Sequence, residues 1–293
     1  MIDGVRIDMH SHSSASDGTD PPAEVMRRAS EAGLDVIALT DHDTTAGIAE
    51  ASAALGPGLT LVPGMELSCR LSGPGSASPD GHSMHLLAYL FDPSEPDLAA
   101  ECAKIRDSRL HRAERMVDRL AALGADVSWE QVTAIAAGGA VGRPHIARAM
   151  VASGVIDRPQ EAFTPDWLAP GGRAYVPRYA LDPGHAIGLV RAAGGVPALA
   201  HPWAGERGWK VPEQEISRLA DAGLVGVEVN HPEHPEAERL KLADLAARLG
   251  LAVLGSSDDH GSLTGHRLGC QTTAPDAYDR IVAQATGAVP ITG

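Results

Sequence analysis

The segment VRIDMHSHSSASD, residues 5–17, joins a short β-strand pattern to a polar run that contains two histidines and an aspartate. Its first residues are typical of a buried strand, and His10 and His12 lie where this strand ends. Because side chains alternate along a strand, His10 and His12 would point to the same side and could share one metal ion. Asp17 lies in the following loop, which could fold back toward the same ion.

Strand and helix patterns alternate along most of the chain. Helical patterns near 21–33 and 45–55 separate the first three strand patterns, and this βαβα order is typical of an α/β fold with a parallel sheet. A count of about seven strands favours a barrel over an open sheet. The strand patterns are Val5–Met9, Val36–Leu39, Leu59–Val62, Met84–Leu90, Val196–Ala200, Val225–Val229 and Leu251–Leu254.

The alternation is interrupted between the fourth and fifth strand patterns. Residues 97–180 have the pattern of several helices, the first near 98–123. We predict that this segment is an inserted helical subdomain that caps the substrate, and that residues 1–96 and 181–293 form the barrel. Residues 72–83 are rich in Gly, Ser and Pro, and we predict a mobile loop there.

The composition argues against several classes of protein. A formal net charge of -14 opposes binding to long duplex nucleic acid but allows a small phosphorylated substrate or short RNA. No apolar stretch approaches the ~20 residues that a membrane-spanning helix needs. The three cysteines have no disulfide or metal-knuckle spacing, which is typical of a reducing compartment. We therefore expect a cytoplasmic protein that does not bind a membrane.

Histidines and acidic residues recur at, or just after, the strand patterns. The carboxyl ends of barrel strands form the face that carries active sites, so these side chains are expected to converge. A single histidine at a strand end is more often structural, but burying the whole set without cations would leave costly unpaired polar groups. The further members of the set are His42, Glu66, His85, His201, Asp258 and His260.

This ordered set resembles the PHP (polymerase and histidinol phosphatase) family of metal-dependent phosphoesterases. The motifs that carry the resemblance are DMHSH at 8–12, TDHD at 40–43, GME at 64–66, His85, AHP at 200–202 and SDDH at 257–260. The resemblance spans nearly the whole chain. It implies a distorted (β/α)7 barrel, with the inserted helical subdomain added to it, that binds two or three divalent metal ions.

The resemblance also implies a set of ligands for each ion. The implied ligands are His10, His12, Glu66 and Asp258 for a first ion, Glu66, His85 and His201 for a second, and Asp17, His42 and His260 for a third. Mixed imidazole and carboxylate ligands suit manganese, iron or zinc without choosing among them. We expect manganese, with iron and zinc as alternatives.

The inserted helices and the GRPH segment at 142–145 make the chain similar to nucleoside 3',5'-bisphosphate phosphatases. We therefore expect hydrolysis of the 3'-phosphate of a substrate such as adenosine 3',5'-bisphosphate, through attack by a metal-bridging hydroxide. Relatives with a similar layout suggest two alternatives, a 5'-3' exoribonuclease on short RNA and a cyclic phosphate phosphodiesterase on phosphorylated ribose. A metal-stabilised scaffold without catalytic activity is the alternative outside the enzymes.

Arginines and histidines outside the ligand set are candidates for binding the substrate. Arg143 stands in a turn that enters a helix, and its guanidinium group matches the geometry of a phosphate. Arg178 and His145 complete the predicted substrate-binding group, although ordinary surface roles would suit the same residues. We predict no catalytic group beyond the metal ligands, with His145 and His231 as candidates for protonating the leaving oxygen.

Overall fold

The computed structural model describes residues 4–71, 81–136, 141–204 and 209–293. Residues 72–80 of the loop predicted at 72–83 lie outside this range, while the last two residues of that segment begin a strand. Every helix in the described part of the chain is too short or too polar to cross a membrane.

The chain divides into two compact units, which we name the barrel unit and the helical unit. The barrel unit comprises Met1–Leu71, Ser83–Cys102 and Leu181–Gly293, and the helical unit comprises Ser72–His82 and Ala103–Ala180.

Eight strands and nine α-helices are present in the described residues. The strands are β1 (Ile7–Asp8), β2 (Val36–Leu39), β3 (Thr60–Leu71), β4 (His82–Tyr89), β5 (Val196–Leu199), β6 (Gly226–Asn230), β7 (Ala252–Gly255) and β8 (Ile291–Thr292). The helices are α1 (Pro22–Glu31), α2 (Ile48–Ala53), α3 (Pro96–Ala122), α4 (Trp129–Ala136), α5 (Arg143–Ala152), α6 (Pro183–Ala192), α7 (Glu213–Asp221), α8 (Glu236–Leu249) and α9 (Pro275–Gln284).

The sheet of the barrel unit has the strand order β1-β2-β3-β4-β5-β6-β7. A parallel bridge between Ser11 and Asp259, just beyond β1 and β7, brings the first and last strands of this order together. In the same region the amide of His12 donates to the carbonyl of Asp259 at 2.9 Å, and the amide of Asp258 donates to the carbonyl of His10 at 3.0 Å. The sheet is therefore a nearly closed barrel, which confirms the predicted fold class.

The strand pairing departs from an all-parallel barrel at β4. Strands β1, β2 and β3 pair in parallel, as do β5, β6 and β7, but β4 runs antiparallel to β5. The residues of β4 that lie beside the carboxyl end of β5 are therefore those near its own amino end. His85 is one of them, because the amide of Ala200, after β5, donates to its carbonyl at 3.2 Å.

The third strand is longer than the sequence indicated. We placed its end near Val62, with Glu66 beyond it, but β3 continues to Leu71 and Glu66 lies inside it. Pro63 and Gly64 are residue types that usually weaken a strand, yet both lie inside β3. Glycine is needed there, because a Cβ atom on Gly64 would lie 2.9 Å from a side-chain carbon of Thr40 and 3.1 Å from a backbone oxygen of β4.

The two faces of β2 show how the barrel unit is packed. Val36 and Ala38 belong to one buried apolar cluster, together with side chains of β5 and β7. Ile37 and Leu39 belong to another, in which they pack with side chains of α1 and α2. Strands buried on both faces are expected where helices cover a parallel sheet, and here aliphatic residues supply almost the whole core.

The helical unit has an apolar core of its own. Side chains of α3, α4 and α5 pack together with residues of the segment that follows α5. Met116 on α3, Val132 on α4 and Ile146 on α5 are fully buried in this cluster.

Glycine at the end of β7 provides a test of the packing next to the predicted ligand Asp258. A Cβ atom on Gly255 would lie 2.1 Å from the carbonyl oxygen of Thr272, a backbone atom that cannot turn away. We expect Gly255→Ala to lower the free energy of unfolding by about 1–3 kcal/mol, the usual cost of overpacking. Denaturant unfolding followed by circular dichroism measures this change.

Gly188 of α6 is the matched control, because no heavy atom lies within 4 Å of the position of its Cβ. Gly188→Ala should leave stability unchanged or raise it by up to about 1 kcal/mol, since alanine favours a helix. Equal stability of the two variants would contradict the close packing at Gly255.

Candidate metal centre

The buried carboxylate of Glu66 lies among several imidazoles. Its Oε1 atom is 2.6 Å from Nδ1 of His85 and 3.0 Å from Nε2 of His201. Its Oε2 atom is 3.3 Å from Nε2 of His10 and 3.2 Å from Nε2 of His12. The two oxygens thus face different histidines, which is the arrangement that a carboxylate bridging two metal ions would have.

Asp258 completes a compact group of donor atoms with the first histidine pair. The Nε2 atoms of His10 and His12 lie 2.9 Å apart, and each is 3.3 Å from Oδ1 of Asp258. Neighbouring donors on a metal ion with bonds of about 2.0–2.2 Å lie about 3 Å apart. The spacing of these donors therefore matches the coordination shell of a divalent cation.

A second group of donors surrounds Asp17, whose side chain is half exposed. Its Oδ1 lies 3.4 Å from Nε2 of His260 and 3.6 Å from Nδ1 of His12, and its Oδ2 lies 3.5 Å from Nε2 of His42. One ligand atom from each of the four residues lies within 4.8 Å of the others. The resemblance implied three of these residues for one ion, and His12 lies beside them.

His42 presents one ring nitrogen to each of two groups. While its Nε2 faces Asp17, its Nδ1 lies 3.1 Å from Oε2 of Glu66. His42, Glu66 and His85 accordingly form another group of possible ligands with mutual distances within 4.8 Å. The donor groups are contiguous, so ions bound in them would be close neighbours.

Several of these donor atoms are buried and make no hydrogen bond. They include Nδ1 of His12, His42 and His85 and Oδ1 of Asp258. A buried polar atom without a partner costs about 1–3 kcal/mol, and the cost recurs at each such atom. A metal ion would satisfy these donors together, so the side chains present fit divalent cations.

The backbone around the site adopts unusual conformations. Asp43, His201 and Asp258 have φ angles of +54°, +24° and +48°, a region that residues other than glycine rarely occupy. Each such residue costs on the order of 1–3 kcal/mol and persists only where its surroundings hold it. Here the carboxylate of Glu228 accepts a hydrogen bond from the amide of His201 at 2.7 Å, and the carbonyl of His10 accepts one from the amide of Asp258.

Carboxylates and imidazoles shift the pKa values of one another. Burial raises the pKa of Glu66, but the charges of neighbouring imidazoles, His42 first, hold it well below its usual range. Burial likewise raises the pKa of Asp258, and His10 does most to lower it well below its usual range. Burial lowers the pKa of His12, but the adjacent carboxylates of Asp258 and Glu66 raise it to about 10. Protons on the imidazoles thus balance the carboxylates when no cation does.

Glu228 of β6 also belongs to this region, and the sequence analysis did not identify it. Its carboxylate is fully buried and lies 3.0 Å from Nδ1 of His10. The signal was present, because an acidic residue interrupts an otherwise apolar pattern, Val225–Val229, that we took to be a buried strand. A buried carboxylate needs partners, so its presence there could have been linked to the histidines.

The two arginines predicted to bind substrate lie in the helical unit. Arg143 is the first residue of α5, where its guanidinium lies 5.7 Å from the centre of the Phe163 ring. It also donates a long hydrogen bond of 3.4 Å to the carbonyl of Leu168. Arg178 is half-buried in the segment that precedes α6.

The two histidines considered as proton donors have different surroundings. In the helical unit, Nδ1 of His145 accepts the amide of Gly142 at 3.0 Å and caps the start of α5. His231, in the barrel unit, is fully buried, and its Nε2 lies 3.4 Å from Oδ2 of Asp258. Its Nδ1 accepts the amide of Glu233, so a neutral His231 carries its proton on Nε2.

Comparisons with known proteins agree with this geometry. A family model described as the PHP domain matches residues 8–123. A 3',5'-nucleoside bisphosphate phosphatase of Chromobacterium violaceum is 35% identical, over 89% of this chain and 89% of that protein. The 5'-3' exoribonuclease Rnm of Escherichia coli is 31% identical, over 94% of this chain and 92% of its own length. A phosphoribosyl 1,2-cyclic phosphate 1,2-diphosphodiesterase of Eggerthella lenta is 30% identical, over 87% of this chain and 94% of its own.

A solved structure from Bifidobacterium adolescentis, described as that of a candidate metal-dependent phosphoesterase, has the same fold. It matches with a TM-score of 0.78 and 33% identity, and the match covers 97% of each chain. The relatives carry the names of a phosphatase, an exoribonuclease and a phosphodiesterase, all of which hydrolyse phosphoric esters. The donor groups, the fold and these relatives lead to one conclusion: the chain belongs to the PHP family of metal-dependent phosphoesterases.

Proposed function

We propose that this protein removes the 3'-phosphate from nucleoside 3',5'-bisphosphates, such as adenosine 3',5'-bisphosphate, and releases the 5'-mononucleotide. The observation that carries the chemistry is the carboxylate of Glu66, whose two oxygens face different groups of histidines. The choice of substrate is supported by the 35% identical relative that is named for this reaction. The net charge of -14 also favours a small substrate over a long polyanion.

In this proposal the predicted ligand set holds two or three divalent ions, with manganese preferred. Bound cations would activate water for attack on phosphorus and withdraw charge from the phosphoryl oxygens. The ligands would be His10, His12, Asp17, His42, Glu66, His85, His201, Asp258 and His260. Support for this set comes from the short donor distances and from the buried donors that lack hydrogen bonds.

Within this scheme, His231 is the better candidate for giving a proton to the leaving oxygen. The amide of Glu233 donates to its Nδ1, which leaves the proton on Nε2, beside Asp258. His145 is less suited, because its Nδ1 is engaged in capping α5 and because burial lowers its pKa. His145 would instead join Arg143 and Arg178 in binding the substrate.

The inserted helical unit would bind the second phosphate of the substrate. Arg143 starts α5, where the helix dipole favours an anion. Its stacking against Phe163 would hold the guanidinium in place while leaving most of its donors available. We also propose that this unit caps the substrate.

Two other reactions are candidates because relatives are named for them. The 31% identical relative is named as a 5'-3' exoribonuclease, and the 30% identical relative as a cyclic phosphate diphosphodiesterase. Both reactions would use the same metal chemistry on another ester, so substrate comparison separates them. A scaffold without catalytic activity has less support, since these relatives are named as enzymes.

A substrate comparison tests the proposed reaction directly. With added manganese, the protein should convert adenosine 3',5'-bisphosphate to adenosine 5'-monophosphate. It should do so with a kcat/KM at least about tenfold above those for short 5'-phosphorylated RNA and for a cyclic phosphate of phosphorylated ribose. An advantage of this size corresponds to about 1.4 kcal/mol of transition-state binding. Equal or faster cleavage of RNA, or release of the 3'-monophosphate, would contradict the proposal.

Variants of two proposed ligands test whether this activity comes from the site. Asp17→Ala and His201→Ala should each lower kcat/KM at least about 100-fold, since loss of a ligand weakens metal binding and misplaces the reacting groups. Asp244→Ala and His185→Ala change exposed residues of the same types in the barrel unit, and both should retain normal activity. Unchanged activity in the first pair would rule out these two ligands.

Binding of metal should release protons. In the cation-free protein the pKa of His12 is about 10, and that of His10 is well above its usual value. Their Nε2 atoms lie 2.9 Å apart, so one ring donates to the other, and at least this proton must be lost before both rings bind a metal ion. Affinity for manganese should rise about tenfold per pH unit for each proton displaced, as pH rises from about 7 to 9. Calorimetry in buffers of different ionisation enthalpy counts the protons, and a count of zero would contradict this picture.

The proposed role of Arg143 concerns the phosphate that is not hydrolysed. Arg143→Gln should reduce the preference for adenosine 3',5'-bisphosphate over adenosine 3'-monophosphate by about 10- to 100-fold, the value of a charged hydrogen bond. Arg148→Gln, which changes an exposed residue of the same helix, should leave this preference unchanged. Steady-state kinetics on both substrates provides the ratio. The same ratio in wild type and Arg143→Gln would exclude this role.

A further inference from the structure

Glu228 is a buried carboxylate that the proposed ligand set does not use. Its side chain has no solvent exposure, and it lies in the middle of β6. Its Oε1 atom is 3.0 Å from Nδ1 of His10 and accepts a short hydrogen bond from the hydroxyl of Ser256. Its Oε2 atom accepts the amide of His201 at 2.7 Å. One side chain of β6 thus contacts residues that follow β1, β5 and β7.

The contact with His10 determines which ring nitrogen carries a proton. A carboxylate only accepts hydrogen bonds, so Nδ1 of His10 must donate to Glu228. Nδ1 therefore carries a proton, and the neutral ring that a metal ion binds has its lone pair on Nε2, which lies 3.3 Å from both Glu66 and Asp258. An imidazole that donates through one nitrogen to a carboxylate is oriented for metal binding through the other.

The contact with His201 stabilises an unfavourable backbone conformation. His201 has a φ angle of +24°, which a residue with a side chain adopts only when its surroundings compensate the strain. The hydrogen bond from its amide to the charged carboxylate of Glu228 is such a compensation. With the backbone held there, Nε2 of His201 lies 3.0 Å from Oε1 of Glu66.

We propose that Glu228 is a positioning residue for two neighbouring metal ions. It would orient one ligand of each ion, by fixing the proton of His10 on Nδ1 and by holding the backbone of His201 in place. This inference rests on the proposed function, because it takes His10 and His201 as ligands of the first and second ion. Glu228 itself is not a ligand in this arrangement, since both of its oxygens are already engaged by protein donors.

The substitution Glu228→Gln separates this role from simple filling of space. The amide has the shape of the carboxylate but only one accepting oxygen, and Glu228 accepts from donors on both of its oxygens. If the amide nitrogen faces the backbone, two donors meet, because neither it nor the N–H of His201 can accept a hydrogen bond. If it faces the ring, it donates to Nδ1 of His10 and moves the proton to Nε2, where a metal ligand needs a lone pair. Either orientation disturbs one proposed ligand.

The matched control is Asp41→Asn, another exchange of a buried carboxylate for an amide in the barrel unit. Asp41 accepts from the amide and the hydroxyl of Ser13 and from the hydroxyl of Ser16. Because hydroxyls can also accept, an asparagine oxygen and nitrogen could satisfy these partners. This control should therefore bind metal as the wild-type protein does.

The quantity to measure is the metal affinity of each protein after its bound metal has been removed. Titration with zinc against a chromophoric chelator should show the tightest-bound ion held about 10- to 100-fold more weakly by Glu228→Gln, and within about threefold of wild type by Asp41→Asn. Equal affinities of the two variants, with normal phosphatase activity in the wild type, would overturn the role of Glu228 alone. Weakened binding by Glu228→Gln in a protein whose wild type hydrolyses none of the phosphoesters would overturn the proposed function alone.

A measurement on the wild-type protein covers the case in which Glu228→Gln does not fold. Nitrogen-15 NMR of the zinc-loaded, histidine-labelled protein distinguishes a protonated from a metal-bound ring nitrogen. The His10 signal, assigned by its loss in His10→Gln, should show a proton on Nδ1 and zinc on Nε2. The reverse pattern, or zinc on neither nitrogen, would overturn the proposal.

Discussion

The contact between the carboxylate of Glu66 and the surrounding imidazoles is the interaction on which the rest of the site depends. A buried carboxylate cannot remain charged without partners, and an imidazole lone pair directed at another donor has no partner. Glu66 lies at the meeting point of these needs, with histidines on both oxygens. Protons can satisfy part of this cluster, and bound cations would satisfy the donors that remain.

The barrel supplies these side chains from strands that are far apart in the sequence. The pairing of Ser11 with Asp259 joins the segments that carry His10 and Asp258, while the reversal of β4 brings His85 to the carboxyl end of β5. Gly64 lets the strand that carries Glu66 approach β4 and the residue that follows β2 closely. His201 and Asp258, two proposed ligands, have positive φ angles. The fold therefore holds them in a backbone conformation that costs free energy.

Much of this arrangement could be predicted from the sequence because it follows from local periodicity. The alternation of side chains places His10 and His12 on one side of a strand, and the βαβα order predicts a barrel with polar residues at its carboxyl ends.

Features set by contacts between distant segments could not be predicted. The direction of β4 and the continuation of β3 past Pro63 and Gly64 depend on neighbouring strands rather than on their own residues. Glu228 was missed because its partners lie in other segments of the chain. Arg143, His145 and Arg178 remain predictions, since their role depends on a bound substrate.

Anomalous X-ray diffraction from crystals grown with manganese would locate the ions bound around Glu66. We expect a strong anomalous peak among Nε2 of His10, Nε2 of His12 and Oδ1 of Asp258, at bonding distance from Glu66. A second peak should lie beside the other oxygen of Glu66, toward His85 and His201. Manganese bound only elsewhere on the protein, or absent from this site at saturating concentration, would contradict the account.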